Sequence, residues 1–474
     1  MVINKKNKKV HLIGICGRGM CPLAILFKES GYEVTGSDED VFEPSPSYLK
    51  KNKILFYEKF NKNNIPKDVN LIVIGKNSVL SAEENPETRY ALKTKIKIES
   101  LPEALSVLAI EKEKILVVGS FGKSSNAGLL AWCLKQNKKN PSYFIGAMPI
   151  NFNSSHFGTG KDFIIEGDEY PSSNTDRQSK FLHFNPSSVL LISAEHDHIN
   201  MFPTEESYKE TYKKLMIKIP QNGLLVYALS GKNNQEISKY ANCIKVSYDA
   251  ENKKADWYAQ NIKYGMQTTF DLMNKGKKII SVKTKLLGKH NIENIVGVGS
   301  LLLEKKKITP QQFANAVNSF KGIQGRIELK TRKSIVPVYD GFGSSFEKTR
   351  SVFDALHLHF PNKRLITIFE PHAFSWRNKK FLHWYKNVFE NVDEVIMLPA
   401  TGHGKKAKDQ LNTEEVWREA KKHKDIHFAK NGREAQNIAQ KIMKKGDVIA
   451  LVSSGPMFGL KETITKFAEK KFRK

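Results

Sequence analysis

Short runs of apolar and β-branched residues recur along the chain, each followed by a stretch of helical periodicity. They fall at Val10–Ile15, Leu71–Ile74, Ile115–Val118, Phe163–Ile165, Val189–Ile192, Leu224–Val226, Leu365–Phe369, Val395–Leu398 and Val448–Val452. Uninterrupted apolar runs of this length suit strands covered on both faces, as in parallel sheets packed between helices. The pattern therefore predicts an α/β chain, with helices expected over 22–30 and 126–134. No internal repeat and no low-complexity linker interrupts it. Two stretches read as boundaries. Leu101-Pro-Glu-Ala-Leu105 precedes a fresh strand and glycine loop near Ile115, and Phe320-Lys-Gly-Ile-Gln-Gly-Arg326 precedes a strand starting at Val336. At about 150 residues per domain, 474 residues correspond to roughly three domains.

Composition narrows the class. Hydrophobic residues make up 40% of the chain, which excludes a disordered polycation. The net charge of +27, from 76 basic and 49 acidic residues, points towards an anionic partner: nucleic acid, a membrane surface or phosphate-rich ligands. Only 11 of the basic residues are Arg, against 65 Lys. Arg is the residue of base readout and bidentate phosphate clamping, whereas scattered Lys mainly solvates a surface. No zinc finger, aromatic RNA-binding signature or Arg-rich stripe accompanies the charge, so no nucleic-acid partner is expected. Four cysteines make no disulfide framework, and without a CxxC pair they make no structural zinc site. The basic start and His11-Leu-Ile-Gly-Ile-Cys imitate a signal peptide, but glycines and Arg18 break the apolar stretch and no cleavage site closes it. No run approaches a membrane span. The expectation is a cytoplasmic protein without membrane insertion.

Candidate chemistry begins with two glycine loops. Gly14-Ile-Cys16-Gly17-Arg-Gly19-Met20 follows the first strand and precedes a helix; Ser37-Asp38 closes the second strand, where an acidic side chain commonly meets a ribose hydroxyl. By itself this is also compatible with a tight turn holding no ligand. The second loop, Ile115-Leu-Val-Val-Gly119-Ser120-Phe121-Gly122-Lys123-Ser124-Ser125, sits between a strand and a helix, the setting of a phosphate-binding loop. Backbone N–H groups would cradle ATP phosphates, Lys123 would reach the terminal ones and the Ser124 hydroxyl would ligate Mg²⁺. Two residues separate its glycines, fewer than in the standard motif.

Acidic groups follow at strand ends: Glu166-Gly-Asp168-Glu169, then Glu195-His196-Asp197-His198. A hard cation bridging phosphates wants oxygen ligands, which Ser124 and Glu166 supply. His198 is a less usual Mg²⁺ ligand and could serve a second ion. Each of these residues alone reads equally as a solvated loop carboxylate or a hydrogen-bonded histidine; behind a phosphate loop, the cluster reads as a metal–nucleotide site.

Taken in order, the motifs resemble the Mur ligase family of ATP-dependent amide-bond-forming enzymes of bacterial cell-wall assembly. The likeness rests on Gly119-Ser-Phe-Gly-Lys-Ser124, Glu166, Glu195-His-Asp-His198, Gly288-Lys-His290-Asn291-Ile-Glu-Asn294 and Arg326. Glu169-Tyr170, Asp176, Ser179-Lys-Phe-Leu-His183-Phe-Asn-Pro186, Val73-Ile-Gly75 and Asn85-Pro-Glu87 are most similar to the branch that recycles murein tripeptide. The resemblance implies three domains: a Rossmann-like UDP-sugar domain over 1–105, a central P-loop ATPase domain over 106–325 and a Rossmann-like peptide domain over 326–474. It implies ATP and Mg²⁺ as cofactors, and UDP-N-acetylmuramic acid and a murein peptide as small-molecule substrates. Ligation of the muramate carboxylate to L-Ala-γ-D-Glu-meso-diaminopimelate, through an acyl phosphate, would serve peptidoglycan recycling. Attachment of single L-alanine is the alternative, and a degenerate non-catalytic paralogue is another.

Residue by residue, the family pattern gives Lys123, Glu166, His198 and Arg326 the catalytic roles, with Ser124, Glu166 and His198 on metal. Gly119, Ser120, Gly122, Lys123, Ser124 and Ser125 would hold phosphates, Arg326 the γ-phosphate, and His290, Asn291, Asn294 and Asp340 the rest of the nucleotide. Gly14, Cys16, Gly17, Gly19, Met20, Ser37 and Asp38 would hold the UDP-sugar, although Met20, like Phe27, Trp132 and Trp376, reads by itself as core. His372 would meet the amine or peptide, or be structural; His403 and the Ser453-Ser-Gly-Pro turn leave the same choice open. One segment departs from the family. Where two acids, an aromatic, a small residue, two histidines and a proline are usual, this chain reads Asp340-Gly341-Phe342-Gly343-Ser344-Ser345-Phe346. In the phosphate loop Phe121 replaces a histidine, and Ser124-Ser125 replaces paired threonines.

Overall fold

The computed structural model describes residues 8–196, 201–400, 410–421 and 425–474. They build three sheets. The first holds β1 (Lys9–Ile13), β2 (Glu33–Ser37), β3 (Leu55–Tyr57), β4 (Leu71–Ile74) and β5 (Lys97–Ser100), all parallel, in the order β3-β2-β1-β4-β5. The strand order reverses between β1 and β4, so the loops leaving them part in opposite directions and open a crevice at their carboxyl ends. The 14–20 loop lies there.

The second sheet carries β6 (Glu113–Val118), β7 (Ser142–Phe144), β8 (Ser155–His156), β9 (Asp162–Gly167), β10 (Ser188–Leu191), β11 (Leu224–Ala228), β12 (Ile244–Tyr248), β13 (Trp257–Lys263), β14 (Thr268–Asn274) and β15 (Lys277–Thr284). Its order is β15-β14-β13-β12-β11-β10-β6-β9-β7-β8. The first strand, β6, lies between β9 and β10, both parallel to it, so the loops following these three strands meet. The third sheet holds β16 (Arg326–Leu329), β17 (Val338–Gly341), β18 (Leu365–Phe369), β19 (Glu394–Met397), β20 (Ile426–Phe428) and β21 (Val448–Val452) in the order β16-β17-β21-β18-β19-β20. Only the β16–β17 pair is antiparallel among these.

All nine apolar runs are strands, each paired in parallel on both sides within its sheet. The helix expected over 22–30 spans Met20–Glu29, and that over 126–134 spans Lys123–Gln136. Near the second boundary, the strand expected from Val336 begins at Val338, and Arg326–Leu329 is itself a strand paired to it. By compactness the chain forms two units: Met1–Gln260 with Asp271–Val282 and Glu293–Phe320, and Asn261–Phe270 with Lys283–Ile292 and Lys321–Lys474. The first unit contains one continuous core reaching from Val10 and Phe27 to Phe163, Val189 and Leu225. Among the described residues no helix is long and apolar enough to cross a membrane.

Beneath the first crevice lies a polar network centred on buried side chains. Glu87 and His11 are fully buried. Glu87 accepts from the Ser37 hydroxyl (2.7 Å), the Asn61 N–H (2.9 Å) and Asn64 Nδ2 (2.8 Å), with His11 Nε2 at 3.4 Å. Burial alone would raise the Glu87 pKa, but the hydrogen bonds from His11, Asn61 and Ser37 outweigh it and hold the carboxyl below its ordinary value. A carboxylate that titrates lower in the fold than in the unfolded chain stabilises above about pH 4.3, and that contribution fades as pH falls further. Glu87→Ala should cost about 3–5 kcal/mol, because it strands a buried network. Calorimetry should show the unfolding transition of this unit falling at neutral pH, with less further loss between about pH 5 and 3 than in the parent. An unchanged transition temperature would contradict this.

Candidate active site

The phosphate loop leaves β6 at Gly119 and enters the helix Lys123–Gln136 at Gly122. Gly119 and Gly122 have φ of +145° and +78°, conformations that a side chain resists. A Cβ on Gly119 would lie 2.9 Å from the Ser193 nitrogen, so only glycine lets the loop close onto the end of β10. The first turn of the following helix has N–H groups without intrahelical acceptors and the positive end of the helix dipole, which together suit an anion.

Four side chains meet over this loop. The Lys123 ammonium donates to the Gly119 carbonyl (2.6 Å) and to Glu169 Oε2 (2.7 Å), and Glu169 is only 1% exposed. The Ser124 hydroxyl donates to Glu166 Oε1 (2.9 Å), whose other oxygen accepts the Gly146 N–H (2.7 Å). Burial pushes the Glu166 pKa up, more than the Gly146 and Ser124 hydrogen bonds lower it. Asp168 behaves oppositely: burial would raise it, but Lys180, 2.6 Å away, keeps it below the ordinary range. Ser124 and Glu166 are hard oxygen donors side by side, which fits Mg²⁺, a cation that takes few protein ligands and keeps waters or phosphate oxygens. Among the described residues no three His, Cys, Asp or Glu side chains converge on one metal position. His198 lies outside the described residues, as does His403.

Ser120 is turned away from the loop opening: its hydroxyl donates to the Ser193 and Glu195 carbonyls and meets the buried Tyr208 hydroxyl at 3.0 Å. Ser125 is half-buried in the first helical turn, and Phe121 at the loop tip is 53% exposed. Asn294 Oδ1 accepts from Asn126 Nδ2 at 2.6 Å, and the same Asn126 nitrogen reaches the Gly122 carbonyl. Asn126 thus ties the glycine loop to Asn294. Its position, four residues after Gly122 on the helix, was a signal that motif reading passed over.

In the first crevice the Cys16 N–H donates to Asp38 Oδ2 (2.8 Å), and the Gly14 and Ile15 N–H groups donate to the Ser37 carbonyl. Burial raises the Asp38 pKa. Gly17 and Gly19 shape the turn, while Met20 is buried in the core. The Ser37 hydroxyl belongs to the Glu87 network, so its backbone, not its side chain, supports the loop. Opposite, Lys76 donates to the Pro171 carbonyl (3.2 Å) and stands 5.9 Å from the Tyr170 ring, and the Asn77 carbonyl accepts from Asn174 (2.8 Å). These contacts join the crevice to the acidic loop after β9. Lys76 was not anticipated; a lysine after a strand has no distinguishing pattern.

In the second unit Asn291 donates to the Leu287 carbonyl (2.7 Å), with exposed His290 adjacent at 3.1 Å. His359 holds this segment: Nε2 accepts the Gly288 N–H (2.9 Å) and Nδ1 donates to the Gly265 carbonyl (2.7 Å), an arrangement only the neutral ring satisfies. Burial lowers its pKa accordingly. Asp340 pairs with Lys461 at 2.8 Å, although burial still raises its pKa. The unusual Asp340–Phe346 loop is a packed turn. Trp376 Nε1 donates to the Gly343 carbonyl (3.0 Å), Ser375 donates to the Ser344 carbonyl (2.5 Å), and Ser345 caps the helix Phe346–His359. A Cβ at Gly343 would lie 2.6 Å from Val452, so a larger residue does not fit there. Arg326 is exposed at the start of β16, its guanidinium 4.6 Å from the centre of the Phe342 ring. His372 is half-buried, with Nδ1 3.5 Å from the Ser454 hydroxyl and its ring against Gly455. Beside it Glu370 accepts from the Ser453 hydroxyl (2.6 Å) and the Met457 N–H.

Comparison with known proteins matches residues 9–113 to the Mur ligase family catalytic domain and residues 117–302 to the Mur ligase middle domain. The chain is 29% identical over 472 residues to the UDP-N-acetylmuramate–L-alanine ligase of Dictyoglomus turgidum, covering 96% of both chains. It is 28% identical over 369 residues to the UDP-N-acetylmuramate–L-alanyl-γ-D-glutamyl-meso-2,6-diaminoheptandioate ligase of Escherichia coli, covering 77% of this chain and 79% of that one. Among solved structures, the UDP-N-acetylmuramate–alanine ligase of Thermotoga maritima superposes with a TM-score of 0.75 at 19% identity, over 98% of this chain and all of that one.

If the loop binds nucleotide as its geometry allows, Lys123→Ala removes one or two charge-assisted hydrogen bonds of about 1.5–3 kcal/mol. Calorimetric titration with MgADP should show affinity falling roughly 10- to 100-fold. Parental affinity in the variant would contradict the assignment.

Proposed function

The chain belongs to the Mur ligase family, whose members are ATP-dependent amide-bond ligases, and on that premise we propose that it joins the carboxylate of UDP-N-acetylmuramic acid to the amine of L-alanine. The arrangement of Lys123, Ser124 and Glu166 around one phosphate loop supports the ATP-dependent step. The choice of L-alanine is supported by the likeness to L-alanine ligase running the whole length of the chain. Ligation of a murein tripeptide is the second reading. It is favoured by the segment from Glu169 to Pro186, where Asp168–Lys180 (2.6 Å) and Asp176–His183 (2.9 Å) shape a loop whose sequence resembles the recycling branch.

The chemistry proceeds in two displacements. A muramate carboxylate oxygen attacks the γ-phosphorus of ATP, and the β–γ bond breaks to release ADP and leave an acyl phosphate. The amine then attacks the acyl carbon, and collapse of the tetrahedral intermediate expels phosphate and forms the amide. Negative charge grows on the transferring group and on the carbonyl oxygen, and fixed cations lower the barrier where they meet it. Lys123 and Arg326 take that role. Ser124 and Glu166 would hold Mg²⁺, with His198 completing the set, and the ion would supply positive charge against the phosphates. His290, Asn291, Asn294 and Asp340 serve the nucleotide; Gly14, Cys16, Gly17, Gly19 and Asp38 serve the UDP-sugar; His372 serves the amine.

In this reading the spans 1–105, 106–325 and 326–474 are the sugar, ATPase and amine-substrate domains, and the enzyme works in the cytoplasm on small molecules alone. Release of ADP should be measured with UDP-N-acetylmuramic acid and Mg²⁺, against L-alanine and L-Ala-γ-D-Glu-meso-diaminopimelate in parallel. Turnover with L-alanine is expected to exceed that with peptide at least tenfold. Preference for peptide would establish the second reading, and nucleotide binding without turnover on either would mark a non-catalytic relative.

A further inference from the structure

β16 does not run regularly. Arg326 pairs with Gly341 and Glu328 with Asp340, which leaves Ile327 as the extra residue of a β-bulge. Ile327 has φ of +54°, a left-handed conformation that a β-branched residue adopts only under constraint. The constraint is visible. The Gly325 N–H donates to Glu328 Oε2 (3.0 Å), Lys330 pairs with Glu328 Oε1 (2.9 Å), and across the ladder Lys461 fixes Asp340. A bulge re-aims the side chain beside it, and retained backbone strain concentrates where a side chain must be held in one place. The side chain so aimed is Arg326.

The ring under its guanidinium belongs to the loop that departs from the family. Phe342 follows Gly341, the cross-strand partner of Arg326, and is locked by what comes next. Gly343 presses against Val452, its carbonyl accepts from Trp376, and Ser375 holds Ser344. A guanidinium 4.6 Å from a ring centre is in cation–π contact. We propose that Phe342 is a positioning residue for Arg326: the compact Gly-Phe-Gly-Ser-Ser turn presents an aromatic face that fixes the guanidinium ready for the transferring phosphoryl group. This rests on the reading of Arg326 as a phosphoryl-stabilising group. Holding a flexible side chain in its working position acts on the transition state more than on ground-state binding, so its loss appears in kcat.

The test is steady-state ADP release by the full-length protein and its Phe342→Leu, Phe342→Tyr, Arg326→Ala and Arg326→Ala/Phe342→Leu variants. Phe342→Leu should lower kcat about tenfold with the KM for ATP within twofold and an unchanged melting temperature, and Phe342→Tyr should retain activity. Arg326→Ala should lower kcat at least a hundredfold, and adding Phe342→Leu to it should cost nothing more, since no guanidinium remains to be held. Full kcat in Phe342→Leu beside an impaired Arg326→Ala overturns the positioning role and leaves Arg326 its function. An equal loss from Phe342→Leu in both backgrounds also overturns it, because the effect is then structural. Full turnover in Arg326→Ala overturns the underlying reading itself. If Phe342→Leu does not fold, Phe342→Met carries the same comparison, with the same outcomes deciding.

Discussion

An ammonium held among carboxylates at the carboxyl end of β6 is the constraint around which the phosphate-loop unit is organised. Lys123 is largely withdrawn from water, so it needs compensation, and the Gly119 carbonyl and Glu169 provide it. That need brings the end of β9 to the loop, and with it Glu166 and Asp168. Asp168 and Glu166 shift in opposite directions because their neighbours differ. Asp168 has its own lysine and is held below the ordinary range, while Glu166 accepts from neutral donors and is pushed up by burial. In the proposed reading, a phosphate would give Lys123 a competing anion and a divalent cation would give Glu166 a charge to balance.

The third sheet resolves a different problem. Its loop after β17 has lost the second acid and both histidines expected from the family. Gly343 packs against Val452 at the small-residue position, and Ser344 and Ser345 stand where the two histidines are usual, so the turn is a different packed structure rather than an eroded copy. The indole of Trp376 and the hydroxyl of Ser375 bind its carbonyls, and Ser345 caps the helix that follows. A segment satisfied in this detail is maintained, which weighs against a decayed, purposeless site.

Legibility followed the range of the interaction. Apolar runs such as Val189–Ile192 announced their strands because both faces are buried and the signal is local. β13, β14 and β15 were missed, since residues such as Thr268–Asn274 alternate buried and half-exposed positions and sit among polar neighbours. β16 was hidden by its bulge. The strand, glycine turn and helix around Lys123 were legible, because glycines, lysine and serine are contiguous and their geometry is local. Ser37 was read as facing a ligand, yet its hydroxyl serves a network closed by Glu87, fifty residues on. His359 and Phe342 act only through partners far along the chain or across a ladder, and nothing in their own neighbourhoods marks them. The +27 charge was legible only as a total; the proposed mechanism draws on few of its cations, Lys123 and Arg326 foremost.

We propose that the muramate carboxylate is activated by phosphoryl transfer over the Lys123 loop. Isotope transfer tests it most directly. UDP-N-acetylmuramic acid labelled with ¹⁸O in its carboxylate is turned over with unlabelled ATP and the amine, and the released phosphate is analysed by mass spectrometry. One carboxylate oxygen is expected in each phosphate released, because that oxygen bridges carbon and phosphorus in the acyl phosphate. Amide formation accompanied by unlabelled phosphate would contradict it.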